Sequence, residues 1–211
     1  MTSQVSLSRR TIGDYLETLG SSQPAPGGGS VAGLVGAMAA SLGQMVVSLT
    51  LKSDGNAVLE RHFETLGAAR ESLLAAAAVD ERAYDAYVDA TRLAKSTDQE
   101  KAQRRTAMQA ALVNAASVPL ILAEAACGLL TELGPVVREG TSHALSDAEI
   151  AVGLAHASVA AGLVTVRINI PHIKDEAKAR SLSAQADMVE RRANQEATSL
   201  RATLTQRRGR D

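Results

Sequence analysis

Apolar positions along this chain recur at spacings of three and four in block after block, while period-two alternation is nearly absent. The pattern predicts helices throughout. Ser8 to Leu19 places Ile12, Leu16 and Leu19 on one face and stops at Gly20. Val31 to Leu51 follows as an uncharged run of twenty-one residues. It is preceded by Pro24-Ala25-Pro26-Gly27-Gly28-Gly29-Ser30, a segment that regular helix or strand does not accommodate. Lys52 to Asn56 reads as a loop. From Ala57 to Leu93, Leu59, Phe63, Leu66, Leu73, Ala77, Tyr84 and Tyr87 predict a third helix.

Lys95 to Asp98 is a connection, with Thr97 or Asp98 capping a helix from Gln99 toward Leu133. Pro119 should kink or interrupt that helix, and Leu133-Gly134-Pro135 should end it. An irregular stretch, Val136 to Leu145, leads to Ser146-Asp147-Ala148-Glu149, a capping-box pattern opening a helix of Ile150 to Ile168. Asn169-Ile170-Pro171 stops it. Lys174 to Thr205 is a last, more polar helix, and Gln206 to Asp211 reads as a frayed tail. Five or six helices with short connections predict an all-α helical bundle around the central uncharged helix.

That central run is also long enough for a transmembrane span. Its composition argues otherwise: it is rich in Ala, Gly and Ser and contains Gln44. Gly33, Gly36, Ala37, Ala40 and Gly43 suit close helix packing, so a central helix buried by its own chain or a partner subunit is expected. Ser30 is a suitable N-cap. The amides of Gly27, Gly28 and Gly29 would then point at an anion or a developing negative charge. An ordinary glycine turn is the rival reading.

At 211 residues, one domain over 1–211 is expected, with its core over roughly residues 8–205. Lys and Arg number 22 against 23 Asp and Glu, a net charge of -1, so neither nucleic acid nor membrane is an expected partner. The single Cys127 and the lack of an apolar signal region near the N-terminus fit a cytoplasmic protein.

Asp80 is the most informative residue. It falls seven after Leu73, three after Ala77 and four before Tyr84, a carboxylate on an otherwise apolar stripe. Such a carboxylate is either buried, proton-holding and suited to acid–base chemistry, or at the rim of the stripe and bonded to a neighbouring helix. His62, His143, His156 and His172 show no metal-ligand spacing, so no metal is expected. Arg104 and Arg105 form a solvated face or receive a substrate carboxylate. Asp147 and Asp175 suit helix capping, and Asn169 is either a C-terminal cap or a polar group lining a pocket.

Residues 24–46, PAPGGGSVAGLVGAMAASLGQMV, resemble the opening motif of the cyclodeaminase domain of formiminotransferase-cyclodeaminase. That family includes stand-alone bacterial methenyltetrahydrofolate cyclohydrolases. The likeness continues through Asp80-Glu81-Arg82-Ala83-Tyr84, Arg104-Arg105-Thr106-Ala107, Ser117-Val118-Pro119-Leu120, Ser146-Asp147 and Ile168-Asn169-Ile170. It implies an all-helical homodimer acting on a tetrahydrofolate one-carbon derivative, without a metal or further cofactor. Either 5,10-methenyltetrahydrofolate is hydrolysed to 10-formyltetrahydrofolate, or 5-formiminotetrahydrofolate is closed with loss of ammonia. No formiminotransferase segment accompanies the motif, which tilts the expectation to the hydrolase.

By the same resemblance Asp80 is the catalytic proton carrier, and Pro26, Gly27, Gly28, Gly29 and Ser30 form one wall of the folate site. Lys52, Arg104 and Arg105 are candidates for the glutamate tail on grounds of charge. Tyr84, Gln109 and Asn169 are candidates for the pterin. Two departures are visible: Gly140-Thr141 stands where the family often has Gly-Asn, and Lys52 lies in Leu51-Lys52-Ser53-Asp54 rather than a Gly-Lys-like turn.

Overall fold

Four long helices close a ring in chain order around a shared core. They are α2 (Gly28–Asp54), α3 (Ala57–Arg92), α4 (Asp98–Glu139) and α5 (Leu145–Asn169). Helix α2 packs on α3 and α5, and α4 packs on the same two from the other side. Helix α6 (Glu176–Arg208) covers the α4–α5 edge, and the short α1 (Ile12–Leu19) precedes the ring. The computed structural model describes residues 7–54 and 57–209, and among these there is no strand. The core is aliphatic, built on Leu66, Leu122, Leu130, Leu133 and Leu163. The expected all-α bundle is what the chain forms.

Close approach in the ring depends on glycines of α2. A Cβ on Gly33 would stand 2.7 Å from both Ala77 Cβ and the Leu73 carbonyl oxygen, and one on Gly43 would stand 2.7 Å from Leu133 Cδ2. By length and composition alone α2, α4 and the Ser142–His172 segment are each apolar enough to cross a membrane. Here their apolar windows are 44–50% buried against the rest of the chain.

Several boundaries differ from the sequence expectation. Lys52, Ser53 and Asp54 continue α2 instead of forming a loop, while Gly55 and Asn56 lie outside the described residues. Helix α4 runs unbroken through Pro119 and past Pro135. The Ala115 carbonyl that Pro119 cannot satisfy is taken by the Asn169 side chain, Nδ2 donating across 3.1 Å. Helix α5 begins at Leu145 after a 3₁₀ turn at Ser142–Ala144, so the Ser146–Glu149 box does not form. Glu149 instead pairs with Arg208, and Asp147 sits in the first turn rather than at the cap.

The supposed tail is helix through Arg208. Arg207 donates to the carbonyls of Val137 at 2.8 Å and Gly140 at 2.6 Å, satisfying the last turn of α4. In α1 the buried side chain is Tyr15 (3% exposed), not Ile12 (72%) or Leu16 (57%). Two expected caps do form. Thr97 makes a capping box with Glu100, and Asp175 accepts from the Lys178 amide at 3.1 Å.

Candidate active site

Helix α2 starts earlier than its sequence suggests. The Val31 amide already bonds to the Gly27 carbonyl at 3.0 Å, which puts Ser30 inside the first turn and not at the cap. One of the orphan amides of that turn is met by α3. Asp80 accepts a hydrogen bond from the Ser30 backbone N–H. Its carboxylate lies so close to Gly29 that a side chain there would overlap it. Asp80 thus caps a helix other than its own, and only glycine at position 29 permits the approach.

The next residue completes the clamp. Glu81 is 5% exposed and accepts from Ser30 Oγ at 2.8 Å, with Arg10 Nη2 at 3.3 Å on its other oxygen. Since the single Ser30 hydroxyl proton goes to Glu81, the Tyr15 hydroxyl donates to Ser30 Oγ across 3.1 Å. Burial raises the Asp80 carboxyl above the usual carboxylate range. The charge of Glu81 adds to this, and the Ser30 amide opposes it. Burial likewise raises the Tyr15 phenol.

In front of Asp80 is a pocket of about 300 Å³. Pro24, Ala25, Gly27, Gly28 and Gly29 form one wall; Asp80, Glu81, Ala83, Tyr84 and Tyr87 of α3 form the second. The third comes from Ala115 of α4 with Thr165 and Asn169 of α5. It is an apolar cleft with a few convergent polar groups and one shifted carboxylate, the usual form of a small-molecule site.

Of the residues singled out by sequence, Gly27, Gly28, Gly29, Asp80, Tyr84 and Asn169 meet here. Pro26, preceded by a cis peptide bond, and Ser30 are buried beside the glycine wall without lining the pocket. Gln109 bonds His172 O at 3.1 Å and accepts from Lys174 N at 2.8 Å, bracing the α5–α6 connection. It lines a separate cleft with Lys174 and Lys178. Arg104 Nε donates to Thr91 O at 3.0 Å, and Arg105 is exposed on α4. Lys52 is 52 − 28 = 24 residues along α2 from Gly28, about 36 Å at helical rise. Thr141 is also at that far end, its amide bonded to Thr50 Oγ1 at 2.8 Å.

Sequence reasoning missed Glu81, Tyr87, Ala115 and Thr165. Thr165 was findable, four before Asn169 and therefore on the same helical face. Ala115 carries no such signal.

Comparison with known proteins agrees with this geometry. Residues 11–188 match the family model described as formiminotransferase-cyclodeaminase. The chain belongs to this family. It is 37% identical over 172 residues to a methenyltetrahydrofolate cyclohydrolase of Methylorubrum extorquens, covering 79% of this chain and 82% of that protein. It is 30% identical to the formimidoyltransferase-cyclodeaminase of Gallus gallus over 79% of its length, but spans only 32% of that larger protein. The fold superposes on the formiminotetrahydrofolate cyclodeaminase of Thermotoga maritima with a TM-score of 0.83 at 28% identity, covering 94% of this chain and 97% of the other. Of the family segments quoted from the sequence, the glycine turn, the Asp80 motif and the segment holding Asn169 reach the pocket.

Proposed function

We propose that the protein hydrolyses 5,10-methenyltetrahydrofolate to 10-formyltetrahydrofolate at this pocket. The observation that carries the proposal is Asp80, a partly buried carboxylate on the pocket wall, held by the Ser30 amide. The bridging carbon of the substrate is part of a cationic N5–CH–N10 unit, which a carboxylate attracts. Water adds to that carbon, and Asp80 removes one proton from it as general base. The remaining hydroxyl proton passes to N5 as the C–N5 bond breaks. The formyl group is left on N10, with one net proton released. The stand-alone relative of 37% identity supports the choice of reaction.

Cyclodeamination of 5-formiminotetrahydrofolate is the second reading, supported by the close structural likeness to the Thermotoga maritima protein. Both reactions pass through a tetrahedral carbon between N5 and N10 and use the same proton carrier. Purified protein mixed with the methenyl substrate should speed the loss of its near-ultraviolet absorbance; with the formimino substrate that absorbance would rise instead. No response to either substrate overturns the folate assignment.

We further propose a homodimer formed through the exposed face of α2. Met38, Met45 and Leu49 project from it beside an apolar groove that includes Leu34, Leu42 and Leu74. Light scattering should give twice the chain mass, and Met38→Glu with Met45→Glu should halve it. A monomeric parent protein refutes the dimer.

A further inference from the structure

The α5 wall of the pocket has a definite hydrogen-bonding polarity. Thr165 and Asn169 stand one turn apart, and both use their hydrogens on backbone carbonyls. Asn169 Nδ2 donates to Ala115 O at 3.1 Å and to Thr165 O at 2.8 Å. Thr165 Oγ1 donates to Ala161 O at 3.2 Å. Rotating the Asn169 amide by half a turn would set its oxygen against two carbonyl oxygens, so its orientation is locked. Pro119 makes the lock necessary, because no amide within α4 can serve Ala115 O.

What remains to face a ligand is acceptor capacity alone. Among the described residues no hydrogen bond reaches Asn169 Oδ1, and no fully buried side-chain oxygen or nitrogen lacks one, so Oδ1 is accessible on a residue that lines the pocket. Thr165 offers its lone pairs beside it. The facing wall has the opposite character: it is the start of α2, where amides point outward. The two walls meet where Gly28 comes near Thr165, a Cβ at Gly28 being 3.8 Å from Thr165 Oγ1.

Resting on the folate assignment above, we propose that Asn169 and Thr165 form an acceptor-only edge that selects the pterin by its 2-amino and N3–H donors. A ring edge bearing acceptors would set lone pair against lone pair and leave both groups unpaired. The two residues are therefore specificity determinants and take no part in proton transfer.

The test pairs a ligand change with protein changes, using the intact protein. Turnover of 5,10-methenyltetrahydrofolate is compared with that of the analogue carrying methyl in place of the 2-amino group. The parent protein should show a KM for the analogue raised about tenfold or more, with kcat altered less. Thr165→Val keeps the side-chain shape and removes the acceptor. Asn169→Leu removes the other, at the cost of leaving the Ala115 carbonyl unserved. In each variant the KM ratio between the two ligands should shrink to within about threefold. A purely structural role would lower turnover of both ligands equally and leave the ratio intact. Should Asn169→Leu fail to fold, the parent protein and Thr165→Val still decide. An analogue used as well as the natural ligand by the parent protein, or an unchanged ratio in Thr165→Val, overturns the acceptor edge while the folate site stands. Failure to act on or bind either ligand removes both together.

Discussion

The glycines of α2 fall into two sets that look alike in sequence and serve opposite ends. At the mouth of the helix, Gly29 lets a carboxylate from α3 reach the first amides. Further along, Gly33 and Gly43 let Ala77, Leu73 and Leu133 approach the α2 backbone. The first contact holds a carboxyl group on the pocket wall; the others hold helices together. Side-chain absence thus supports chemistry at one end and packing at the other. The two roles separate experimentally because one should be read in turnover and the other in stability.

The largest effect is expected from Asp80→Asn, which keeps an acceptor for the Ser30 amide but no longer takes a proton. Turnover should fall by about 10²–10⁴-fold with the fold intact, as steady-state rates and circular dichroism would show. Unchanged turnover removes Asp80 from the mechanism. Stability has a definite sign here. A carboxyl raised in the folded state contributes stability at low pH that is lost as pH rises through its folded value. Denaturant titration near neutral pH should therefore find the Asn variant at least as stable as the parent. In the parent, the pH–rate curve should fall on its acid side with a midpoint above the ordinary carboxylate range, and that limb should vanish in the variant.

Gly29→Ala comes next. Its methyl displaces the Asp80 carboxylate, so turnover should drop by roughly 10²-fold while the melting temperature moves little. A large stability loss with activity kept would erase the distinction between the two sets. Gly33→Ala should do the reverse and destabilise by about 1–3 kcal/mol, since the Leu73 carbonyl cannot move aside. Gly43→Ala should cost least. Only side-chain tips, those of Leu133 and Leu66, must give way, and alanine's higher helix propensity returns about 1 kcal/mol. Equal losses at positions 33 and 43 would contradict this account of their packing.

The fold was legible because its signals are repeated. Leu59, Leu66 and Leu73 keep helical spacing over many turns, and all three are fully buried. The glycine turn and Asp80, picked out by motif and spacing, and Tyr84 and Asn169, picked out by residue type, come together at one pocket, whereas Gln109, chosen on the same ground, does not. Element ends were less legible. Pro135 suggested a stop, yet α4 continues to Glu139, where Arg207, some seventy residues away in sequence, takes the last carbonyls. A cap supplied by a distant side chain leaves no local mark. Ser30 shows the same limit. Its local pattern is that of an N-cap, but its hydroxyl is committed to Glu81 and Tyr15, fifty-one and fifteen residues away. In α1 the spacing of Ile12 and Leu16 marked the wrong face, because Tyr15 is drawn inward by a partner that spacing cannot reveal.

Pro119 does not line the pocket, yet it sets what the pocket can recognise. An alanine there would restore an amide to serve the Ala115 carbonyl, and one hydrogen of Asn169 would be released. The amide could then turn and present a donor where the parent protein presents an acceptor. Ligand preference would drift through a substitution in a buried helix, with every residue that touches the ligand unchanged. Surveys of natural variation or directed evolution that score only the pocket wall would not see where such a change came from.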